Sequence, residues 1–345
     1  MWDMTFEEAV AAQEAGDFEA AERGYLALSG SRNAFYNLAI LYRTLGRIGE
    51  SERAYRLILA AYPDMAGAQR GLAMCLLAQG QYAEAWPLYE GRRKAQPTPD
   101  PLADFPEWQG ESLAGKHIVV VAEQGAGDQL MFARFIPVLI ERGAQVTVAC
   151  DPRTIARLFE RAGFQTTPFL RAGQRLPRAD FWVFMASLPL RLNHPRPPAA
   201  GYLTMPGEGG GIGVMATGNP AHQNDAHRSL RGADAEGLLR LGRDLSPEAT
   251  GARDFDDSAQ IMAGLDLVIT VDSAVAHLAG AMGKRCWVLL PRLGMDWRWN
   301  MGSESDWHPQ ARLFRQTVAG DWSGVIERLR AEIDATCLTM GTKGE

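Results

Sequence analysis

The segment Leu265–Leu290, LDLVITVDSAVAHLAGAMGKRCWVLL, leaves this chain few architectures. Leu265–Val271 is apolar and β-branched, as a buried strand requires. Asp272-Ser273 supplies a helix N-cap where that strand ends. Ala274–Met282 predicts a short helix of small and apolar residues, stopped by Gly283. Cys286–Leu290 predicts a second buried strand. Two parallel strands with a crossover helix imply an α/β sheet. They place the backbone N–H groups of Ser273–Ala276 at its carboxyl edge, where an anion such as a diphosphate binds. Small side chains at Ser273, Ala274 and Ala276 let a ligand approach the backbone.

The first hundred residues follow another rule. Gly46 and Gly80 are 34 residues apart, as are Tyr55 and Tyr89, Pro63 and Pro97, Leu38 and Leu72, and Ala39 and Ala73. That period is the tetratricopeptide (TPR) period, a helical hairpin that stacks into a solenoid. Gly16–Tyr25 is an earlier, shortened copy. Each copy has a glycine at the turn and a tyrosine nine residues later, Tyr25, Tyr55 and Tyr89, placed to pack one hairpin on the next. Such an array offers a peptide-binding groove, a dimerisation face or a prop for the next domain. Residues 1–96 are read as this array and 97–116 as a proline-rich linker.

A second strand–loop–helix begins at His117–Ala122. It continues through the glycine loop Gln124–Gln129, a helix over Leu130–Arg142 and a strand over Gln145–Cys150. Leu130 stands where a dinucleotide fingerprint has its third glycine, and Asp151 reads either as a ribose acid or as a helix start. Asp128 sits in the first turn of the helix, as a dipole-favoured acid or as a carboxylate facing a cleft. A strand over Phe181–Ala186 leads to Ser187, and the hinge Pro195–Gly211 precedes a strand over Gly211–Ala216. Two lobes follow, 117–206 and 211–335, with a cleft expected between them. The polar loop Thr217–Leu230 carries Asn219, His222, Asn224, Asp225, His227 and Arg228. Its His and Asp spacing fits no standard metal site, whereas Arg228 suits paired bonds to a phosphate.

The net charge of −6 argues against wholesale nucleic-acid binding. The four cysteines form no CxxC, so neither a zinc site nor a disulfide framework is signalled. The first residues lack the apolar run of a signal peptide, and no apolar stretch reaches membrane-spanning length. A cytoplasmic location is expected.

The ordered set GAGDQLMFARFIP, FMASLP, TGNPAHQNDAHRS, DSAVAHLAGAMGK, DWRW and WHPQARLFRQ resembles bacterial TPR-fused glycosyltransferases, some of which modify flagellin. GAGDQ and DSAVAHLAGAMGK are similar, more distantly, to lipopolysaccharide heptosyltransferases. The resemblance covers nearly the whole chain. It implies a TPR solenoid followed by a GT-B fold, two Rossmann-like lobes with acceptor on the first and nucleotide sugar on the second. Asp128 would be the general base, with Gly125, Gly127, Gln129 and Ser187 around the acceptor. Asn219, His222, Arg228, Asp272, Ser273, Ala274, Val275 and His277 would hold the donor. No metal or other cofactor is implied. The partners would be a nucleotide sugar and a protein acceptor such as flagellin, held by the TPR groove, with a homodimer as another use of the array. Trp297 and Trp299 are expected either to stack on a base or sugar or to close the lobe's edge. One departure stands out: Leu245–Asp257 offers no strand where such a lobe usually has one. That leaves a rival reading, a TPR adaptor with a degenerate transferase half.

Overall fold

A computed structural model describes residues 4–28, 30–95, 103–169, 174–198 and 201–341, with side chains to 335. The expected linker falls partly outside these, since 96–102 are not described. Two compact units divide the chain. One comprises Met1–Thr98 with Leu293–Met301, the other Pro99–Arg292 with Gly302–Glu345.

The first unit is helical: α1 (Phe6–Glu14), α2 (Phe18–Ala27), α3 (Arg32–Thr44), α4 (Ile48–Ala61), α5 (Ala66–Ala78), α6 (Tyr82–Tyr89) and α7 (Arg92–Ala95). Consecutive helices pair as hairpins, α1 with α2, α3 with α4 and α5 with α6. The spaced glycines Gly16, Gly46 and Gly80 turn the three hairpins with φ of +80°, +74° and +72°. A side chain there would clash with its own backbone. Tyr25, Tyr55 and Tyr89 are all buried. Tyr55 reaches the next hairpin, where a Cβ on Gly71 of α5 would lie 2.3 Å from its ring.

Trp297–Trp299, a single 3-10 turn, belongs to this helical unit. Trp297 meets Trp86 edge-on at 6.2 Å and Tyr89 at 5.9 Å, and Arg298 lies over its ring. Gly294 N donates to Thr44 O and Asn300 Nδ2 to Tyr82 Oη. Trp297 and Trp299 are both buried. The Trp297 indole thus fills an aromatic cluster of the helical unit.

In the second unit the first sheet holds β1 (His117–Val121), β2 (Gln145–Cys150), β3 (Gln165–Pro168) and β4 (Phe181–Phe184). All are parallel, in the order β3-β2-β1-β4. The helix expected over Leu130–Arg142 starts earlier and breaks. It runs as α8 (Ala126–Phe132), a 3-10 turn Ala133–Phe135 and α9 (Ile136–Glu141). Pro137 has no N–H for the next α-helical bond, which explains the tighter turn before it. α10 (Ala156–Arg161) lies between β2 and β3, and α11 (Leu188–Arg191) follows β4.

The second sheet comprises β5 (Ile212–Met215), β6 (Arg243–Asp244), β7 (Leu267–Val271), β8 (Cys286–Leu290) and β9 (Ala311–Arg315). It too is parallel, in the order β6-β5-β7-β8-β9. Its helices are α12 (Asp225–Arg228), α13 (Gly232–Leu239), α14 (Pro247–Thr250), α15 (Phe255–Ala263), α16 (Ala274–Ala281) and α17 (Ser323–Gly341). Val214, Ile269, Val271, Leu289, Leu238 and Leu329 form the buried layer between sheet and helices. β6 corrects the reading of a missing strand. Leu245–Asp257 is strand-free, but Arg243–Asp244 just before it pairs with Gly213–Val214 of β5. Leu245 N adds a further bond to Val214 O. Among the described residues no helix is long and apolar enough to cross a membrane.

Candidate functional site

Both sheets have a point where strand order reverses, and ligands of open α/β sheets bind beyond the strand ends there. In the second sheet that point lies between β5 and β7. The loop after β5 carries Arg228, and the turn after β7 carries Asp272 and Ser273. The two meet directly: Arg228 Nη1 donates to Asp272 O at 2.8 Å. Arg228 is buried; its Nη2 lies 3.5 Å from Asn219 O and its Nε 3.5 Å from Asp225 Oδ1. Gly218 makes room for the guanidinium, since a Cβ there would lie 2.7 Å from Nη2. Asp225 accepts from Ser229 Oγ, and Gly218 N donates to Ser229 Oγ, so the loop is knitted from within. Asn219 and His222 are exposed on its outer side. Asn219 Oδ1 accepts from Ala221 N, and His222 Nδ1 accepts from Asn224 N.

Ser273 caps α16: its Oγ accepts from Val275 N at 3.3 Å and lies 3.0 Å from Thr270 Oγ1. Ala276 N bonds Ser273 O. Two of the four N–H groups expected to face an anion, those of Val275 and Ala276, are thus taken up at the helix start. Asp272, Ser273 and Val275 are buried, while Ala274 is partly accessible.

Facing this turn is the start of α8 in the first lobe. Gln124 adopts φ +63°, uncommon for a residue with a Cβ, and swings the chain into Gly125. Gly125 is the N-cap, and Asp128 Oδ2 accepts from Gly125 N at 3.1 Å. Asp128 therefore carries out the helix-start role that its position alone suggests. Gln129 Nε2 reaches Gln124 O at 3.4 Å, while its buried Oε1 has no hydrogen-bond partner. A Cβ on Gly127 would stand 2.8 Å from His277 Cδ2 and 3.5 Å from Ala274 Cα. The expected cleft is a tight seam at this level, two helix starts in contact through a glycine. Ser187 is fully buried in the 3-10 turn after β4. Asp151 pairs with Arg153 and accepts from its N–H, the helix-start reading of that acid.

Three buried polar residues here went unassigned in the sequence. Glu123, at the end of β1, accepts from Ala186 N at 3.2 Å. His308 Nε2 lies 2.9 Å from His277 Nδ1. Arg134 Nη2 lies 3.3 Å from His308 Nδ1, Nε donates to Met131 O at 2.8 Å, and Nη1 bonds Trp307 O. Burial first, then the Arg134 charge and His277, hold His308 well below the usual imidazole range. The only sequence signal for His308 was the WHP run, which carried no assigned role. A second set of contacts joins the lobes away from the seam: Arg157 and Arg161 of α10 reach Asp254, Asp256 and Asp257 around the start of α15.

No protein-family model matches the chain. It is similar to Protein FlbA of Caulobacter vibrioides, at 26% identity over 366 residues, covering 86% of this chain and 60% of that protein. The chain thus spans under two thirds of that relative's length. Among solved structures it overlaps a glycosyl transferase family 9 protein from Veillonella parvula, with TM-score 0.40, 11% identity, 60% of this chain and 88% of the other. It also overlaps a Thermobaculum terrenum O-GlcNAc transferase mutant, with TM-score 0.26, 14% identity, 91% of this chain and 57% of the other. Both overlaps are too loose to match residues one to one.

Proposed function

We propose that this chain is a GT-B glycosyltransferase that moves a sugar from a nucleotide donor to a hydroxyl, without a metal. One observation carries the reading. At the β5/β7 reversal the Arg228 loop and the Ser273-capped start of α16 converge, opposite the Asp128 turn of the other lobe. Such a transfer needs a base for the incoming hydroxyl proton and positive potential for the departing diphosphate. Asp128 would supply the first; a positioned base contributes roughly 10²–10⁴-fold. Arg228 and the N–H groups of Ser273 and Ala274 would supply the second. Asn219 and His222 on the exposed face of the loop would reach the nucleotide. Gly125, Gln129 and Ser187 belong to the acceptor side, residues 117–206. The helical unit is read as a TPR array choosing a protein acceptor, flagellin being the one the resemblance suggests, in the cytoplasm.

The contacts at Gly127 and Asp128 favour a second reading, a binding module of transferase descent. The seam is closed there, and Asp128 caps its own helix. Thermal-shift titration with UDP-, GDP-, ADP- and CMP-sugars separates the two. Stabilisation by one donor, with transfer lost and binding kept in Asp128→Asn, supports the enzyme. No response to any donor or free nucleotide at millimolar concentration supports the module.

A further inference from the structure

His277, His308 and Arg134 form a buried row across the two lobes: His277 Nδ1 lies 2.9 Å from His308 Nε2, and His308 Nδ1 lies 3.3 Å from Arg134 Nη2. All three are at most 5% exposed. A guanidinium can only donate, so His308 Nδ1 must be the acceptor. The proton of His308 then sits on Nε2 and is donated to His277 Nδ1. His277 in turn carries its proton on Nε2. A protonated His308 would place an N–H against the Arg134 guanidinium, donor against donor and cation against cation. The row therefore has one consistent state, with both imidazoles neutral. Gly280 and Gly127 hold it in place. A Cβ on Gly280 would lie 1.9 Å from His308 Nδ1, and one on Gly127 would meet the Cδ2–Nε2 edge of His277 at 2.8 and 3.6 Å.

We propose that Arg134 and His308 are positioning residues that fix His277 as a neutral imidazole with its N–H on Nε2, turned toward the Gly127–Asp128 turn. Resting on the glycosyl-transfer reading, the consequence concerns Asp128. An imidazolium one residue away would stabilise the carboxylate and weaken it as a base; a neutral ring does not. His277 is bonded to His308, which faces Arg134; Asp128 follows Gly127, whose added Cβ would meet the His277 ring, and Asp272 directly follows β7 ahead of α16. On α15, packed against α16, Asp256 and Asp257 are engaged by Arg157, Arg161 and Arg253.

Side-chain ¹⁵N NMR of the full chain, without ligand, tests this. Signals are assigned with His277→Asn and His308→Asn and followed from about pH 5.5 to 8. Both rings are expected in the Nε2–H form throughout. In Arg134→Met, His308 Nδ1 loses its donor and the ring is expected to populate the Nδ1–H form, and in Arg134→Lys to keep the Nε2–H form; an unchanged tautomer in Arg134→Met would show that Arg134 does not fix the row. An Nδ1–H form of either ring, or titration of either in the unmodified chain, overturns the proposal. If Arg134→Met does not fold, the unmodified chain alone decides. The signals are read without substrate, so a failure of donor binding would sink the transferase reading and leave this one standing.

Discussion

Arg228 reaches across from the loop after β5 to bind the carbonyl of Asp272 at the end of β7, at 2.8 Å. One buried guanidinium thus sets the distance between the two loops that flank the strand-order reversal. Arg228→Ala should lose about 1–3 kcal/mol, because it removes the donor to that buried carbonyl and the cation beside buried Asp225, which keeps Ser229 Oγ and Arg231. Arg228→Lys should recover charge but not the two-loop link, since an ammonium lacks the planar fork. Denaturant unfolding checks the stability loss. Equal stability of all three proteins would show that the loops are held by something else.

The Arg157/Arg161 clasp predicts acid sensitivity. Arg161 above all, and Arg157, hold the carboxyl of buried Asp256 below the usual range, and Arg253 does so for Asp257. A carboxyl depressed in the folded state contributes stability above its unfolded value of ~3.9, and that contribution is lost as pH falls through the folded value. The melting temperature should therefore fall steeply below about pH 4. In Asp256→Asn the fall between about pH 5 and 3 should be shallower, from a lower starting point, by calorimetry. Parallel curves would remove Asp256 from the acid response.

Gly127→Ala tests the seam. The new methyl would lie 2.8 Å from His277 Cδ2, so the lobes must separate or the ring must move, at a cost of about 1–3 kcal/mol. Gly125→Ala is the paired control. Its methyl meets Asp128 Oδ2 at an ordinary 3.5 Å, leaving a loss of about 1 kcal/mol or less from the weaker N-cap. Similar losses in both would mean that the seam is compliant.

Thiol reactivity gives an independent check on the cores. Burial pushes the Cys75 thiol up to about 11 and Cys150 to about 12, and raises Cys286 as well. At about pH 8 these three should resist alkylation in the folded protein and react fully in denaturant, by peptide mass. Fast labelling of Cys150 or Cys286 in the native state would show that a sheet core opens locally.

How much of this could be read from the residues follows from the range of the interactions. β8 was legible to the residue, because the apolar run Cys286–Leu290 is bounded by Lys284-Arg285 on one side and Pro291 on the other. The three glycine turns were legible because the period repeats them. β6 was not, since an Arg-Asp pair on a sheet edge has no alternation or apolar run to announce it. The break at Pro137 was visible in the sequence but outweighed there by helical spacing. Asp128 was found, but its bond to Gly125 N depends on the unusual φ of Gln124. Arg134 and His308 are far apart in sequence, and only tertiary packing, with His308 against Gly280 of α16, brings them to His277. Trp297 was noticed, but nothing in DWRW says which rings its indole will meet.

The position of Trp297 along the chain bears on synthesis. Residues 293–301 are translated after the whole first sheet and all of the second but β9, yet they complete the aromatic cluster of the helical unit. On the ribosome Trp86 and Tyr89 lack the Trp297 ring until that later segment has been made. Closing that cluster therefore comes after β5–β8 have been made, and it ties the packing of the helical unit to synthesis of the second sheet.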